Sequence, residues 1–208
     1  MSLKVTRIVT GPLQENCYIV QQNHNALIID PGSDGHKIKE YIFNHSLTPR
    51  AILLTHAHFD HIGAVEELRR DYHIPVYMNE LEEEWLNNPE LNLSSQMERQ
   101  PVICQPAEFN LTINHCSRCL GDIAFEMIPT PGHTIGGTCY LFDDFIMTGD
   151  TLFKHSIGRC DFPSGNYDEL INSIKTKLFT LDDSLTIYPG HGEASTIGEE
   201  KQNNPFIK

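Results

Sequence analysis

The segment of residues 51–72 constrains the fold of this chain more than any other, because it joins an apolar run to a cluster of metal-ligand side chains. Residues 51–54 are apolar and predict a short buried strand, and the pattern of residues 62–72 predicts a helix. Three histidines and an aspartate lie between them within six residues: His56, His58, Asp60 and His61. A strand end holds a loop rigidly, and imidazoles and carboxylates bind divalent metals. The segment therefore predicts a metal-binding loop between a strand and a helix.

Three further ligand-type residues follow other apolar segments that end at glycine-containing turns. His133 lies in Pro-Gly-His-Thr, Asp150 in Thr-Gly-Asp-Thr and His191 in Pro-Gly-His-Gly. Taken singly, each fits equally well as a surface turn residue or a helix cap. Strand ends of two packed sheets can meet at one edge, where functional sites are usually built. We therefore expect these residues to join the loop in one site.

The remaining pattern predicts two strand-rich halves, each with a helix. The predicted strands are 3–9, 17–20, 26–29, 51–54, 75–78, 109–113, 123–128, 137–142, 145–147 and 184–188. The predicted helices begin near residue 35 and cover 62–72 and 167–179. Such an order favours two sheets packed face to face with helices outside, in the α/β (α+β) class.

We predict one domain over residues 1–208, with a helical and loop excursion at about 79–105. The excursion begins with an acidic run that is typical of a solvated helix face, and it is placed to cover one side of a pocket. The formal net charge of −13, with no lysine- or arginine-rich run, disfavours nucleic-acid binding. No apolar segment indicates a signal peptide or a membrane span, so we expect a cytoplasmic protein without a membrane partner.

The six cysteines fit a reduced protein, since nothing else in the sequence indicates secretion. Cys116 and Cys119 form a C-x-x-C pair, but neither a second pair nor a strand-to-helix context accompanies it. We interpret the pair as incidental and located in a loop. The sequence leaves the oligomeric state open.

Taken together, the motifs resemble the metallo-β-lactamase superfamily, and more closely the short single-domain members of its glyoxalase II (hydroxyacylglutathione hydrolase) branch. The resemblance extends from the first hairpin through Asp30 to His191. It implies an αββα four-layer sandwich of two mixed sheets with a dinuclear metal centre at one edge. It places His56, His58 and His133 on the first metal. It places Asp60, His61 and His191 on the second metal, with Asp150 bridging the two.

The implied ligands suit hydrolysis at two divalent metal ions. A hydroxide shared by the two ions would be the nucleophile, so no serine or cysteine nucleophile is required. Asp60 and Asp150 are the predicted catalytic carboxylates. All ligands are nitrogen or oxygen, which makes zinc the first candidate and leaves iron and manganese admissible. The predicted substrates are small thioesters, namely S-lactoylglutathione or related acylthiols.

Arg159, in Gly-Arg-Cys-Asp-Phe, stands where the resemblance places a basic residue for the substrate carboxylate. It fits equally well as a surface arginine after a glycine turn. Only 17 residues follow His191, and the tyrosine that helps these enzymes hold glutathione is replaced. We therefore expect glutathione to be held weakly.

Three alternative functions remain open at the level of the sequence. The persulfide dioxygenase branch of the same superfamily uses one iron, held by the counterparts of His56, His58 and Asp150 with His133 alongside. It shares the Gly-Arg-x-Asp-Phe stretch. The other two are a hydrolase of lactones or other esters and a non-catalytic metal-binding scaffold. The Pro-Gly-His-Gly turn around His191 and residues 162–165 favour the thioester hydrolase.

Overall fold

A six-stranded mixed sheet forms the first half of the fold. The computed structural model describes residues 2–111 and 116–207. The strands, in sheet order, are β1 (Lys4–Thr10), β2 (Glu15–Gln22), β3 (Asn25–Ile29), β4 (Thr48–Leu53), β5 (Val76–Asn79) and β6 (Phe109–Leu111). The pairs β1–β2 and β2–β3 are antiparallel, and the remaining pairs are parallel. Asn23, in the β2–β3 turn, adopts a positive φ of 55°, which asparagine tolerates better than most residues.

The second half contributes another six-stranded mixed sheet. Its strands are β7 (Cys116–Leu120), β8 (Ile123–Pro129), β9 (Thr138–Leu141), β10 (Phe145–Gly149), β13 (Thr186–Pro189) and β14 (Ser195–Thr196). A small hairpin, β11 (Leu152–Phe153) and β12 (Ser156–Ile157), lies between the fourth and fifth of these strands in the chain. The order is β14-β13-β10-β9-β8-β7, and only β10 and β13 pair in parallel among the described strands of this sheet.

Alternation along the strands builds two buried faces on each sheet. Tyr18 and Val20 of β2 point toward the second sheet and pack with Phe125 and Met147. Their neighbours Cys17 and Ile19 face outward and join a different apolar cluster. Successive side chains of a strand project to opposite sides, so a strand that is apolar throughout needs cover on both faces.

Helices provide that outer cover. They are α1 (Gly35–Asn44), α2 (Phe59–Ile62), α3 (Val65–Tyr72), α4 (Ser94–Met97), α5 (Tyr167–Ser173) and α6 (Ile197–Asn203). Helices α1 and α3 pack on the outer face of the first sheet through Ile38 and Leu68. Helix α5 and its continuation as a π-helical turn, Ile174–Leu178, pack on the outer face of the second sheet. The predicted αββα sandwich of two mixed sheets is confirmed.

The helix predicted for residues 62–72 is observed from Val65 to Tyr72, as α3, and only its predicted start is wrong, because residues 63 and 64 separate Ile62 from it. The backbone N–H of Ala64 donates to the carbonyl of Pro31, 2.9 Å away, instead of continuing the ladder of α2. A Cβ at Gly63 would lie 2.3 Å from the Gly32 carbonyl oxygen, so the two segments touch there through their backbones. The interruption leaves Asp60 and His61 on a separate helical turn, α2.

The acidic run contains a second departure from the prediction. It forms a 3-10 helix, Glu80–Asn87, and Glu82 within it is fully buried rather than solvated. The predicted strand 109–113 is observed as far as Leu111, and residues 112 and 113 lie outside the described part of the chain.

The cysteine predictions have a mixed outcome. The C-x-x-C pair lies in strand β7 rather than in a loop, and the side chain of Cys116 is outside the described part. The five cysteines whose side chains are described are free thiols, as predicted: Cys17, Cys104, Cys119, Cys139 and Cys160. Within residues 2–111 and 116–207, the helices are too short or too polar to cross a bilayer.

Candidate metal centre

Four strand ends meet at one edge of the sandwich. The loop after β4 carries His56, and the turns after β8, β10 and β13 carry His133, Asp150 and His191. Backbone hydrogen bonds join these turns: Thr138 N–H donates to the Thr55 carbonyl at 2.9 Å, and Gly190 N–H donates to the Gly149 carbonyl at 2.8 Å. The loops are therefore tied to each other as well as to their own strands.

Three histidine rings form what we call the first group: His56, His58 and His133. One ligand atom from each lies within 4.8 Å of those of the other two. The three residues are at most 4% exposed. Nδ1 of His58 faces Nε2 of His133 at 3.1 Å. Two nitrogens bound to one tetrahedral zinc ion at about 2.0–2.1 Å lie about 3.3 Å apart, so the rings are already close to that arrangement.

Three residues form the second group: Asp60, His61 and His191. Their ligand atoms also lie within 4.8 Å of one another. The carboxylate oxygen Oδ2 of Asp60 is 3.2 Å from Nε2 of His191 and 3.9 Å from Nε2 of His61. The side chains of Asp60 and His191 are 15% and 27% exposed, so this group is open to solvent on one side.

Asp150 lies between the two groups. Its Oδ1 is 3.5 Å from Nε2 of His61, and its Oδ2 is 3.7 Å from Nε2 of both His133 and His191. A Cβ at position 190 would lie 2.2 Å from Oδ1 of Asp150 and 2.7 Å from Cε1 of His61. Glycine at this turn therefore leaves room for the carboxylate and the ring.

The ligand atoms of the two groups are arranged to bind divalent cations rather than to hydrogen-bond with one another. Nε2 of His56, Nε2 of His61 and Oδ1 of Asp150 are buried and have no hydrogen-bond partner within the described part of the chain. Buried polar atoms without partners are costly, and they are rare in folded proteins. Cations placed among these lone pairs would remove that cost. All seven side chains predicted as ligands lie in this arrangement.

Hydrogen bonds on the far side of the rings fix which nitrogen points inward. Nδ1 of His133 lies 2.7 Å from the backbone carbonyl of Arg159. A carbonyl can only accept, so this nitrogen carries the proton and Nε2 keeps its lone pair. Nδ1 of His61 lies 3.1 Å from the carboxylate of Asp30, which has the same effect. Such partners orient metal-ligating histidines and raise their basicity.

Asp30 also supports the first group. It accepts the backbone N–H and the hydroxyl of Thr55, at 2.7 and 2.6 Å. Because that hydroxyl donates to Asp30, its oxygen can accept from Nδ1 of His56, 3.1 Å away. One buried carboxylate therefore orients a histidine in each group.

Burial and charge set opposite protonation tendencies in the two groups. Burial, together with the neighbouring histidines, lowers the pKa of His56 and of His58 well below the usual range. Burial also acts against protonation of His61, but the carboxylates of Asp150, Asp60 and Asp30 raise its pKa well above the usual range. The pKa of Asp60 lies below its usual range despite burial, because His61 and His191 are close. His56 and His58 therefore favour the neutral imidazole, the form that binds metal.

A cleft of about 430 Å³ opens directly over this arrangement. Asp60, Asp150 and His191 lie at its floor, and the excursion forms one wall through Leu93 and Met97, as expected from the sequence. The ring of Phe162 makes an edge-to-face contact with the ring of His58, with 5.6 Å between the ring centroids. The rings of Phe153 and His191 make a similar contact at 6.3 Å. Each group of ligands therefore has an aromatic wall beside it.

Arg159, the predicted substrate-binding residue, lines the same cleft. Its guanidinium donates from Nε and Nη2 to the two carboxylate oxygens of Asp161, at 2.7 Å each. It also lies 4.0 Å from the centre of the Phe162 ring. Two of its five donors are thus occupied by a neighbouring carboxylate, a pairing that the sequence analysis did not predict.

Two supporting carboxylates were missed at the level of sequence. Asp30 follows β3 directly, and β3 pairs in parallel with β4, so its position beside the metal loop could have been inferred from the strand order. Glu82 gave no such signal, because it lies in an acidic run that is otherwise exposed. Its two carboxylate oxygens accept the backbone N–H groups of Ala57 and Gly136, each at 2.7 Å.

Comparison with known protein families gives one family match. The family described as the metallo-beta-lactamase superfamily matches residues 10–191. The chain is 41% identical to the probable metallo-hydrolase YqgX of Bacillus subtilis, over 99% of this chain and 98% of that protein. It is 35% identical to hydroxyacylglutathione hydrolase GloC of Haemophilus influenzae, with the same coverage of 99% and 98%.

Solved structures give similar matches. The crystal structure of the BLEG-1 B3 metallo-beta-lactamase superposes with a TM-score of 0.95 at 40% identity, covering 98% of this chain and 99% of that one. TTHA1623 in a di-iron-bound form gives 0.86 at 33% identity, covering 97% and 100%. ETHE1 from Myxococcus xanthus gives 0.79 at 27% identity, covering 99% and 84%.

Proposed function

Because the chain belongs to the metallo-beta-lactamase superfamily, we propose that it is a hydrolase of small thioesters that works with two divalent metal ions per chain. The observation that carries the proposal is the presence of two adjacent ligand groups with Asp150 between them. Together they comprise seven side chains, more than one ion with an open coordination position uses. Open positions are what a catalytic site needs and a structural site lacks.

When bound, two such ions would polarise a carbonyl group and lower the pKa of water. The residues of the chain hold and orient the site. The backbone carbonyl of Arg159 accepts from Nδ1 of His133, and the carboxylate of Asp30 accepts from Nδ1 of His61, so that Nε2 of each ring stays available. The carboxylates of Asp60 and Asp150 bring negative charge to the centre, and both line the cleft.

Thioesters are favoured among acyl substrates by the resemblance to GloC, a hydroxyacylglutathione hydrolase. A thiolate leaves readily, and the described residues of the cleft include no lysine or tyrosine to protonate a poorer leaving group. We propose an acylthiol as the substrate, with S-lactoylglutathione as one candidate and Arg159 as a weak contact to a thiol-side carboxylate.

Zinc remains our first choice of metal, because a set of imidazole and carboxylate ligands without thiolates suits it. The same ligands suit iron, and TTHA1623 is a di-iron-bound relative. The metal content of protein purified without added metal decides between the two.

A persulfide dioxygenase with a single iron is the alternative, since the first group and Asp150 alone supply enough ligands for one ion. The second group disfavours the dioxygenase, because a single ion in the first group would leave Asp60, His61 and His191 without a metal to bind.

A panel of substrates tests the proposal on protein of measured metal content. We expect about two ions per chain and hydrolysis of acylthiols, followed by release of free thiol. The panel includes a β-lactam, because BLEG-1 is a B3 metallo-beta-lactamase, and also a lactone. Oxygen uptake with glutathione persulfide and no thiol release from thioesters would replace the hydrolase with the dioxygenase.

A further inference from the structure

The walls of the cleft are apolar above a polar floor. Seven apolar side chains from separate segments line it: Leu13, Phe59, Leu93, Met97, Phe153, Ile157 and Phe162. Leu13 and Met97 stand at the rim and are 50% and 56% exposed. Exposed apolar side chains that cluster at the mouth of a site mark a surface that binds an apolar group.

Arg159 is the one arginine or lysine in the described lining of the cleft, and it does little to offset the apolar character of the walls. Arg159 is paired with both carboxylate oxygens of Asp161, so much of its charge is neutralised where an anionic substrate would approach. The volume of about 430 Å³ also exceeds what a three-carbon lactoyl group fills. The site therefore offers apolar contact area and little attraction for charge.

We infer that the preferred acyl groups are apolar chains or rings of about four to eight carbons; this inference rests on the proposed thioester hydrolysis. The acyl group lies along the apolar wall, and the thioester carbonyl lies over Asp60 and Asp150. Each methylene that leaves water against this wall strengthens binding.

The test is a series of N-acetylcysteamine thioesters with acetyl, butanoyl, hexanoyl and lactoyl groups. We expect kcat/KM to rise about threefold per added methylene up to hexanoyl, and the lactoyl ester to fall below the butanoyl ester. The double variant Leu13→Gln/Met97→Gln should flatten the rise. Phe43→Gln, on an 82% exposed side chain of α1 that is absent from the cleft lining, is the matched control and should keep it.

The failures of the two proposals are distinguishable. Hydrolysis that is equal for all chain lengths, or fastest for the lactoyl ester, overturns the inference and leaves the thioesterase intact. Absence of hydrolysis overturns the proposed function. In that case the apolar preference of the cleft is decided by calorimetry, from the binding of the S-methyl and S-hexyl thioethers of N-acetylcysteamine to the metal-loaded protein. Equal affinity for the two thioethers would then overturn it.

Glu82 supports a second inference through a different observation. Its carboxylate is fully buried and bridges two loops, accepting from Ala57 N–H through Oε2 and from Gly136 N–H through Oε1, each at 2.7 Å. Ala57 lies between His56 and His58, and Gly136 lies three residues after His133. These two loops carry all three histidines of the first group. Hydrogen bonds to a charged acceptor are stronger than neutral ones.

We propose that Glu82 is a positioning residue that sets the distance between the His56–His58 pair and His133. It acts through the backbone of the two loops and touches no ligand ring among the contacts of its carboxylate. The close fit at Gly136 supports this role, because a Cβ there would lie 2.8 Å from Cγ of Glu82. The excursion, through this one side chain, is therefore part of the metal centre.

The test measures metal affinity by zinc titration against a competing chelator. Glu82→Gln keeps the shape but turns an amide N–H₂ toward a backbone donor, so we expect the first-group ion to bind about 10- to 100-fold more weakly. The ion at the second group should change less than threefold. Glu84→Gln, on an exposed residue of the same 3-10 helix, is the matched control and should change neither.

Two further readouts separate positioning from general stability. The absorption spectrum of the cobalt-loaded protein should change in Glu82→Gln and not in Glu84→Gln. Gly136→Ala, which presses on Glu82, should weaken the same ion if Glu82→Gln fails to fold. A lower Tm of the metal-free variants with unchanged affinity and an unchanged cobalt spectrum would overturn the proposal.

Discussion

The first and second groups of ligands differ in burial, in charge and in what holds them. The first group consists of three imidazoles that are nearly inaccessible to water. The second group includes the carboxylate of Asp60 and the 27% exposed ring of His191. His191 is held on a turn that pairs with Glu15 through an isolated bridge, outside the regular strands.

The difference indicates that the two groups would hold metal ions in different surroundings. An ion among the buried imidazoles of the first group would be reached by few solvent molecules. An ion beside Asp60 is partly neutralised and lies on the open side, where exchange with solvent is easier. We therefore expect the first-group ion to be held more tightly and the second-group ion to be the exchangeable one.

The largest expected effect comes from Asp150, because it is the residue that both groups share. Asp150→Ala removes the carboxylate between two cations and leaves them to repel each other. We expect loss of both ions or a fall in kcat/KM of about 1,000-fold. Asp60→Ala should cost less and should leave the first-group ion in place. Metal analysis and thioester kinetics on both variants check this; two ions and near-parental turnover in Asp150→Ala would contradict it.

Next in size is the difference between the two ions themselves. We expect dialysis against increasing chelator to remove one ion per chain at a concentration at least about tenfold lower than the other. His191→Ala should bind one ion, with the affinity of the tighter ion of the parent protein. Elemental analysis along the chelator series gives the answer. Simultaneous release of both ions would show that the halves do not differ as their burial suggests.

The supporting hydrogen bonds offer a smaller and more selective test. Asp30→Asn weakens a direct contact to His61 but reaches His56 only through Thr55. The second-group ion should therefore lose the most affinity, about 10- to 100-fold, and the first-group ion less. Thr55→Val removes the hydroxyl beside His56 and should weaken the first-group ion by about 2- to 10-fold. Zinc titration of both variants tests the pairing of each support with its group. The reverse pairing of the two effects would refute it.

The smallest effect is expected at the edge of the cleft, outside both groups. Arg159→Ala should raise KM for S-lactoylglutathione by less than about fivefold without changing kcat, because Arg159 is exposed and already paired with Asp161. Asp161→Asn should lower that KM, since it frees the guanidinium. Steady-state kinetics on the two variants measure both changes. A fall in kcat for Arg159→Ala would mean that the arginine acts on the reacting group.

Much of the site could be predicted from the sequence because its chemistry is local. His56, His58 and His61 lie within six residues, and His133, Asp150 and His191 each follow an apolar strand at a glycine turn. Strand periodicity also predicted both sheets, since residues that alternate along a strand must bury two faces. These patterns depend only on residues that are close together in the chain, so they can be recognised without a structure.

The rest was decided by tertiary contacts. Glu82 is buried because two N–H groups from distant loops surround it, and nothing in its acidic neighbourhood announces them. The helix of residues 62–72 is interrupted because Ala64 bonds to Pro31 across the sheet edge. The guanidinium of Arg159 is paired with Asp161 because the turn brings the two side chains together. The sequence by itself determined which residues are available to hold metal. The packed structure decided which residues orient them, because that depends on distances between segments far apart in the chain.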